Sequence, residues 1–354
     1  MSNIIKVGAE REQKFDRSLR YNRQKDYDIT QYDIKEFDFK AGHRQVYGNF
    51  NFSIFIDEFC NADCKFCVAQ LRYENKKLLY HKEHLPDDVW LRRCEEILKL
   101  IRPLNPSISI TGGEPTISNK LVPVLQMVDS LGFRKRTITT NGSQLFRKVD
   151  GLPIIDHLIK NHWDHLNISR PAISDDEARR IMRFTNEYGF TSNAMVRDIL
   201  QETNKSSMKH RLSCLLLKEG VNSVDMMKAY VDNYVALGAN NFIFRELMDY
   251  DTTAVNVEKM NYCMSNKVRL NDIWEQFDGR TDFVPWLNIL GYYYYVEIYK
   301  YGNAVVASES ANLNQQTVEV AAHPNMVYEM VFHTNGNLCA SWIDKERVLD
   351  KYEP

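Results

Sequence analysis

The sequence has little that would mark a secreted, membrane or nucleic-acid-binding protein. Its 354 residues contain seven cysteines, an odd number with three in one short stretch, which excludes a dense disulfide framework and suits a reducing compartment. No apolar run is long enough to span a bilayer, and we expect no signal peptide. The net charge of −2 gives no basic surface for nucleic acid or lipid headgroups. The composition therefore predicts a soluble, cytoplasmic protein without nucleic acid or a membrane as its partner.

Three of the cysteines lie close together in the segment FCNADCKFC, directly after a strand-like run. Cys60, Cys64 and Cys67 have the spacing C-x3-C-x2-C, so one short loop carries three thiols. Thiolates are the preferred ligands of iron–sulfur clusters, and three of them would leave one iron of a [4Fe–4S] cluster open to another ligand. A structural zinc site is the alternative, and it would need a fourth ligand such as His81 or His84.

A second motif lies downstream, at the end of another strand-like run. Residues 107–111 alternate polar and apolar side chains and lead into Gly112, Gly113, Glu114 and Pro115. Glycines at the end of a strand let the backbone approach a ligand closely. Taken alone, a Gly-Gly pair also fits an ordinary turn.

Two further strand-like segments end in polar residues. One ends at Asn141, which is followed by glycine, a pair that also marks ordinary tight turns. The other ends at Ser169 and Arg170. The planar fork of an arginine suits a carboxylate ligand, but a surface ion pair with Asp175 or Asp176 is an equally good interpretation.

The cysteine spacing, with Phe66 before the third cysteine, and the Gly-Gly-Glu-Pro motif resemble those of the radical S-adenosylmethionine (radical SAM) enzymes, and the resemblance covers residues 50–250. It implies that the three cysteines bind one [4Fe–4S] cluster whose open iron chelates the amino and carboxylate groups of SAM. One electron, from a reductant such as flavodoxin or ferredoxin, then cleaves SAM to methionine and a 5′-deoxyadenosyl radical, which abstracts a hydrogen atom from the substrate. Glu114 would hold the SAM amino group. The implied SAM-binding residues are Phe66, Gly112, Gly113, Glu114, Pro115, Asn141, Ser169, Arg170, Asn193, Arg197 and Arg245.

The middle of the sequence alternates strand-like and helix-like segments, which predicts an α/β fold with a parallel sheet covered by helices. All four motifs fall at strand ends, where the ligands of such sheets gather. Six strands are too few for a closed eight-stranded barrel, and the resemblance implies an open, partial (β/α)6 barrel. The predicted strands are 51–56, 107–111, 136–140, 165–169, 211–217 and 241–245. The predicted helices are 86–100, 121–131, 154–161, 175–184 and 224–237, and residues 185–210 show no clear period.

We take the core as residues 47–250, and a polar segment precedes it. Residues 1–46 mix basic and acidic side chains and are predicted to form a solvated extension. They are too short for a fused peptide-recognition domain. The basic residues that alternate with acids and tyrosines in this extension include Arg11, Lys14, Arg17, Arg20, Arg23 and Lys25.

Residues 251–354 are predicted to form an α+β region that caps the open side of the barrel. It contains a helix over 257–277 and two β-hairpins, over 292–306 and 328–342. Alternate tyrosines in the first hairpin fit a half-exposed strand face.

Cys339 lies in the second hairpin. Only Cys263 and Cys339 follow residue 250, too few for the auxiliary cluster that some radical SAM enzymes carry, so a single cluster is expected. Cys339 could return a hydrogen atom to a substrate radical, as a lone cysteine does in some epimerases of the family. A buried, inert thiol is the simpler interpretation.

The resemblance predicts an enzyme that removes a hydrogen atom from a small molecule such as a sugar, nucleoside or amino acid. A peptide-modifying maturase is the alternative. The small molecule is favoured, because we find neither a fused recognition domain nor a multi-cysteine C-terminal region. A zinc-stabilised binding module is the non-enzymatic alternative.

Overall fold

The computed structural model of the chain describes residues 3–6, 15, 17, 33–75, 78, 79, 83–185, 189–248 and 254–354. Several residues singled out in the sequence lie outside this part of the chain: Arg11, Lys14, Arg20, Arg23, Lys25 and His81.

The strands in the described part of the chain are β1 (Asn3–Lys6), β2 (Ile34–Phe39), β3 (Gly42–Tyr47), β4 (Asn51–Phe55), β5 (Ser107–Thr111), β6 (Lys135–Thr140), β7 (Lys148–Val149), β8 (Leu152–Pro153), β9 (His165–Ser169), β10 (Lys209–Leu215), β11 (Asn241–Arg245), β12 (Val284–Leu290), β13 (Tyr294–Tyr301), β14 (Ala304–Ala311), β15 (Met326–Val327), β16 (Met330–Phe332), β17 (Leu338–Cys339) and β18 (Val348–Asp350). The α-helices there are α1 (Val68–Leu71), α2 (Asp87–Ile101), α3 (Leu121–Leu131), α4 (Ile154–Lys160), α5 (Asp175–Met182), α6 (Asn193–Asn204), α7 (Val224–Ala236), α8 (Val257–Asn266), α9 (Leu270–Phe277) and α10 (Leu313–Ala322).

Thirteen of these strands form one mixed sheet, in the order β1-β12-β13-β14-β11-β10-β9-β6-β5-β4-β16-β17-β18. The eight strands from β14 to β16 in this order all run parallel to their neighbours. The middle six, β11 to β4, are those that the sequence predicts, and helices α2 to α7 alternate with them along the chain. The predicted α/β fold, an open partial (β/α)6 barrel, is confirmed.

The alternation of side chains explains why the central strands have two different faces. In β5, Ile108 and Ile110 are fully buried in the main hydrophobic core, whereas Ser107, Ser109 and Thr111 are partly exposed. The same alternation recurs in β9. One face of the sheet thus belongs to the main core, and we call the opposite face the inner face.

Two segments differ from what the sequence predicts. The predicted helix 257–277 is two helices, α8 and α9, because Lys267 adopts an extended conformation and forms an isolated β-bridge with Leu217. Residues 185–210, which had no clear period, contain α6, and Ser192 caps it by accepting a hydrogen bond from the N–H of Met195.

The two predicted C-terminal hairpins form, and their strands extend both ends of the central sheet. In the first, Tyr301 pairs with Ala304 around the predicted turn, and β14 adds in parallel to β11. In the second, β16 adds in parallel to β4 on the other side. Strands β12 to β14 and β16 to β18 therefore share one sheet with the barrel strands, whereas β15 pairs with β3 in a separate sheet.

Parts of the predicted polar extension pack against the rest of the protein. β2 and β3 form a hairpin in which Phe39 and Val46 are buried. Phe15 is buried against Tyr299, with ring centroids 5.2 Å apart. Arg17 Nε donates to a carboxylate oxygen of the fully buried Glu297 at 2.8 Å. The expectation of a solvated extension does not hold for these residues, because strand pairing and apolar contacts bury them.

In the described part of the chain, no helix has the length and apolar character that crossing a bilayer requires.

Candidate functional site

The cysteine loop, residues 60–67, lies at the carboxyl end of β4, and its three thiols are half-buried and free of disulfide bonds. The N–H of Cys67 donates to the carbonyl oxygen of Cys64 at 3.1 Å, and α1 begins directly after Cys67. Burial raises the pKa of the Cys64 and Cys67 thiols, and the neighbouring thiols raise the pKa of Cys64 further. Thiolates in this loop therefore need a compensating positive charge, which bound metal ions supply.

The Gly-Gly pair is required by a close approach of two backbones. The N–H of Gly113 donates to the carbonyl of Asp57 at 2.7 Å, and the N–H of Glu114 donates to that of Phe59 at 2.8 Å. A Cβ at Gly113 would lie 2.0 Å from the Phe59 carbonyl oxygen, and a Cβ at Gly112 would lie 2.5 Å from that of Asp57. The two glycines therefore make room for the backbone of residues 57–59, which leads into the cysteine loop. The approach of a ligand to these glycines stays a prediction.

Asn61, inside the cysteine loop, connects the loop to the end of β6. Its buried Oδ1 accepts from Asn141 Nδ2 at 2.8 Å, and its Nδ2 donates to Ser143 Oγ at 2.8 Å. Its carbonyl accepts the N–H of Thr185 at 2.7 Å. Asn61 carries no signal in the sequence, because its side-chain partners are 80 and 82 residues away.

Glu114 ties the end of β5 to the end of β6. Its buried carboxylate accepts from the N–H and hydroxyl of Thr116 at 3.0 and 2.6 Å, from the hydroxyl of Thr140, and from the N–H of Asn141 at 2.7 Å. Burial raises the pKa of Glu114, and these donors offset part of the rise. Pro115 follows and is buried. The predicted contact of Glu114 with the SAM amino group would be a fifth hydrogen bond to this carboxylate.

A buried lysine from the C-terminal part of the chain holds the cysteine loop from another side. Lys259 of α8 is 3% exposed, and its Nζ donates to the Cys64 carbonyl at 2.7 Å and to Asp63 Oδ1 at 3.0 Å. Beside it, the N–H of Asn256 donates to the carbonyl of Leu71, the last residue of α1, at 3.0 Å. The sequence assigns no role to this segment, since the contact with residues 63–71 is purely tertiary.

Phe66 packs the cysteine loop onto a second hydrophobic cluster. This cluster consists of Ala172, Ala178, Ile181, Phe190, Leu217, Leu247 and Cys263. The N–H groups of Asp63 and Lys65 donate to the carbonyls of Met182 and Ile181, each at 3.1 Å, near the end of α5. The loop is thus fixed to the strand ends, to α5 and to α8, and a contact of Phe66 with SAM stays a prediction.

Arg170 lies at the predicted strand end, but its guanidinium is buried in the protein. It donates to the Tyr234 hydroxyl at 2.6 Å, the Thr191 carbonyl at 2.8 Å, Asp175 Oδ1 at 2.5 Å and Asn193 Oδ1 at 2.9 Å. Of the two interpretations of Arg170, the ion pair with Asp175 is the one that forms, with the arginine 1% exposed and not at the surface. These bonds use four of the five N–H donors of the guanidinium, which leaves one N–H on Nη1 for a SAM carboxylate.

The other residues of this predicted set are dispersed. Ser169 is half-buried at the end of β9, in register with Ser213 of β10, and lies on the inner face. Asn193 opens α6 and its side chain is bonded to that of Arg170. Arg197, one turn further on, is exposed and pairs with Asp198 at 3.5 Å. The structure therefore brings Ser169 to the same edge as the motifs and leaves Arg197 on an outer helix surface.

The inner face of the sheet has a polar and an apolar region. Ile243, Val296 and Ala307, on β11, β13 and β14, form a small buried cluster separate from the main core. Arg245, at the end of β11, pairs with Glu309 of β14 at 3.1 Å. Polar side chains continue across β10, β9, β6 and β5 up to the strand ends that carry the motifs. Such a surface contacts both the polar and the apolar parts of a small molecule.

Cys339 is fully buried on β17, in register with Val331 of β16. Its thiol lies 3.5 Å from the carbonyl oxygen of Asp344, to which it donates. This environment supports the inert thiol, and the role of hydrogen-atom donor stays a prediction.

His84, one of the two possible zinc ligands, has its Nδ1 3.2 Å from Oε2 of Glu58. Among the described residues, no three His, Cys, Asp or Glu side chains are arranged around a single metal ion.

The family model of the radical SAM superfamily matches residues 54–242, more than half of the chain. The chain therefore belongs to the radical SAM superfamily. It is an enzyme whose cofactors are a [4Fe–4S] cluster and SAM, as the resemblance implied. The zinc-stabilised binding module is set aside by this membership.

Curated relatives share shorter stretches. The chain is 31% identical over 132 residues to the GTP 3′,8-cyclase of Alkaliphilus oremlandii, which is 37% of each protein. It is 28% identical over 177 residues to molybdenum cofactor biosynthesis protein 1 of Dictyostelium discoideum, 49% of this chain and 25% of that protein. The matches thus span between 25% and 37% of the length of these relatives.

Solved structures show a more distant similarity. Streptococcus suis SuiB bound to S-adenosylmethionine is 14% identical with a TM-score of 0.48, and the match covers 83% of this chain and 58% of SuiB. Coproporphyrinogen III oxidase from Escherichia coli is 13% identical with a TM-score of 0.41, covering 64% of this chain and 50% of that one.

Proposed function

We propose that Cys60, Cys64 and Cys67 hold the [4Fe–4S] cluster and that the enzyme removes a hydrogen atom from a small molecule bound on the inner face. The observation that carries this proposal is the placement of the cysteine loop at the carboxyl end of β4, where backbone hydrogen bonds join the residues that lead into the loop, Asp57 and Phe59, to Gly113 and Glu114. One loop carries three cysteines without disulfide bonds, and burial raises the pKa of Cys64 and Cys67, so their thiolates fit a site where iron ions compensate the negative charge. When bound, the cluster and SAM supply the electron and the 5′-deoxyadenosyl radical.

The residues around the loop would orient it and receive SAM. Gly113 and Glu114 bring the end of β5 against the chain that leads into the loop, and Asn61 and Asn141 fix the end of β6 beside it. We assign SAM to this edge, with the half-buried Ser169 within the same row of strand ends. Arg170 and Asn193 are better explained as positioning residues, because their side chains are bonded to each other and to neighbouring protein groups.

A small-molecule substrate is supported by the relatives and by the inner face. The relatives named GTP 3′,8-cyclase act on a nucleotide, and they match this chain at about 30% identity over the part that is shared. The inner face offers a polar region beside a small apolar cluster, which suits a molecule of that kind. A nucleotide is thus the first substrate class to test, before a peptide.

Anaerobic reconstitution with iron and sulfide, followed by SAM and a strong reductant, tests the cluster assignment. We expect about four irons per chain and formation of 5′-deoxyadenosine. Cys64→Ala should lose both iron and SAM cleavage. The matched control is Cys94→Ala, which removes a fully buried thiol of α2 and should keep both. Zinc without iron in the wild type, or full activity of Cys64→Ala, would refute the assignment.

The substrate class is tested by adding nucleotides, nucleosides or short peptides to the reconstituted enzyme. A substrate should accelerate 5′-deoxyadenosine formation and appear as a product changed in mass or bonding. Acceleration by peptides alone would replace the small-molecule proposal with a peptide-modifying one.

A further inference from the structure

Three neighbouring strands place basic side chains together on the inner face, at the end away from the cysteine loop. Lys209 of β10 is in register with His165 of β9, and Arg211, two residues on, lies on the same face. His165 is in register with Thr137 of β6, and Lys135 precedes Thr137 by two residues. The alternate residues of these strands are fully buried in the main core: Ile138, Leu166, Ile168 and Leu212. We call Lys135, His165, Lys209 and Arg211 the basic patch.

No carboxylate among the described residues forms an ion pair with the basic patch. The two acids whose charge acts on the patch have other partners. Asp164 accepts the backbone N–H of Arg136 at 2.7 Å, and Glu309 pairs with Arg245 at 3.1 Å. The patch thus holds positive charge on a partly buried surface, and Asp164 and Glu309 act on it only through charge at longer range, without an ion pair.

The basic side chains act unfavourably on one another. Burial and then the charge of Arg211 lower the pKa of Lys135, and burial together with Lys135, Arg211 and Lys209 lowers the pKa of His165 to about 4. Arg211 donates from Nε to Asn241 Oδ1 at 3.2 Å, and no described residue accepts from its two terminal nitrogens. An anion bound here would remove the repulsion and use these free donors.

The distance to the predicted site of chemistry limits which anion fits. His165 and Ser169 are four residues apart on β9, which corresponds to about 13 Å at ~3.3 Å per residue. A substrate that reaches both the strand ends and the basic patch is therefore an elongated molecule with an anionic group at one end.

We propose that the basic patch binds the phosphate or polyphosphate group of the substrate, while the part that reacts lies at the carboxyl ends of the strands. This inference rests on the proposed function, because it names the substrate class of the same site: a phosphorylated small molecule such as a nucleotide. Lys135, Lys209 and Arg211 supply the charge, and the terminal nitrogens of Arg211 suit two phosphate oxygens at once. The apolar cluster of Ile243 and its neighbours contacts the less polar part of the molecule.

Calorimetric titration of the reconstituted holoenzyme with inorganic triphosphate, GTP and guanosine tests this proposal. We expect saturable triphosphate binding that weakens roughly tenfold or more in Arg211→Gln and is lost in the triple variant Lys135→Gln, Lys209→Gln, Arg211→Gln. GTP should displace triphosphate and bind more tightly than guanosine in the wild type, but not in the triple variant. Lys160→Gln, on the exposed side of α4, is the matched control and should behave as the wild type.

The melting temperature without ligand separates a binding role from a structural one. Removing repelling charges should leave the triple variant at least as stable as the wild type, while triphosphate raises only the wild-type melting temperature. A less stable triple variant, equal triphosphate affinity in both proteins, no saturable binding at millimolar triphosphate, or binding that GTP does not displace would each overturn the proposal.

SAM cleavage distinguishes the failure of this inference from the failure of the proposed function. The wild type and Lys160→Gln should both form 5′-deoxyadenosine from SAM without substrate. No 5′-deoxyadenosine from the wild type would refute the proposed function. Its formation by a wild type that binds no triphosphate would refute this inference alone.

Discussion

Replacing Lys259 by Met should loosen the cysteine loop while leaving the sheet beneath it intact. The variant keeps the hydrocarbon packing but removes two charge-assisted hydrogen bonds, to the Cys64 carbonyl at 2.7 Å and to Asp63 at 3.0 Å. Hydrogen bonds to charged groups contribute about 1.5–3 kcal/mol each. Asp63 keeps its ion pair with Arg183 at 3.0 Å and is partly exposed. We therefore expect the free energy of unfolding to fall by about 2–4 kcal/mol. This is less than the sum for two such hydrogen bonds, because Asp63 keeps another partner.

Urea-induced unfolding of the cluster-free protein, under anaerobic and reducing conditions, measures this change. Hydrogen exchange of the amides of residues 64–70 should also become faster in Lys259→Met, because α8 no longer holds the loop. Lys160→Met, at an exposed position, should change the free energy of unfolding by less than about 0.5 kcal/mol. If Lys259→Met matched this control in both measurements, Lys259 would not hold the loop.

Gly113→Ala should prevent cluster incorporation, because its Cβ would lie 2.0 Å from the Phe59 carbonyl oxygen. The control is Gly220→Ala, where the nearest atom would lie 3.4 Å from the new Cβ. A full iron content in both reconstituted variants would contradict the reasoning. Cys339→Ala should leave SAM cleavage unchanged if the buried thiol is inert, whereas a diverted or trapped product in a mass-spectrometric assay would establish hydrogen-atom donation. Burial lowers the pKa of His210 to about 4, below its unfolded value of about 6.5, so its stabilising contribution is present above pH ~6.5 and is lost as the pH falls towards 4. The free energy of unfolding should therefore fall less steeply over this range in His210→Gln, and identical slopes would show that His210 does not titrate as its burial requires.

The central fold could be predicted closely because its strands and helices carry strong local signals. Predicted strands 107–111, 165–169 and 241–245 coincide with β5, β9 and β11, and helix 121–131 coincides with α3. Local signals did not locate the break at Lys267, which depends on a bridge to a residue fifty positions earlier in the chain. They also could not show that β14 and β16 join the barrel strands in parallel, because strand pairing over such distances leaves no periodicity in the sequence.

The site was predictable to the extent that its chemistry lies in short motifs. The cysteine spacing and the Gly-Gly-Glu-Pro motif identified the strand ends that meet, and the family match confirms the class of enzyme. The residues that hold these motifs together were not predictable. Asn61 and Lys259 act through partners far away in the sequence, and Arg170 has the same surroundings in sequence whether its guanidinium faces a ligand or the protein interior. The sequence supplies residue types, and only the fold shows which way they face.

The pairing of β4 with β16 has a consequence for how the enzyme is made. On the ribosome, the cysteine loop emerges early, but the strand that precedes it gains its second neighbour only when residues 330–332 have been synthesised. Thr334, whose hydroxyl donates to Glu58 just before the loop, lies 276 residues further along the chain. Contacts of this separation form late and slowly. We therefore expect cluster insertion to follow synthesis of the C-terminal hairpin, so a nascent chain would expose its three thiols to oxidation for most of its translation.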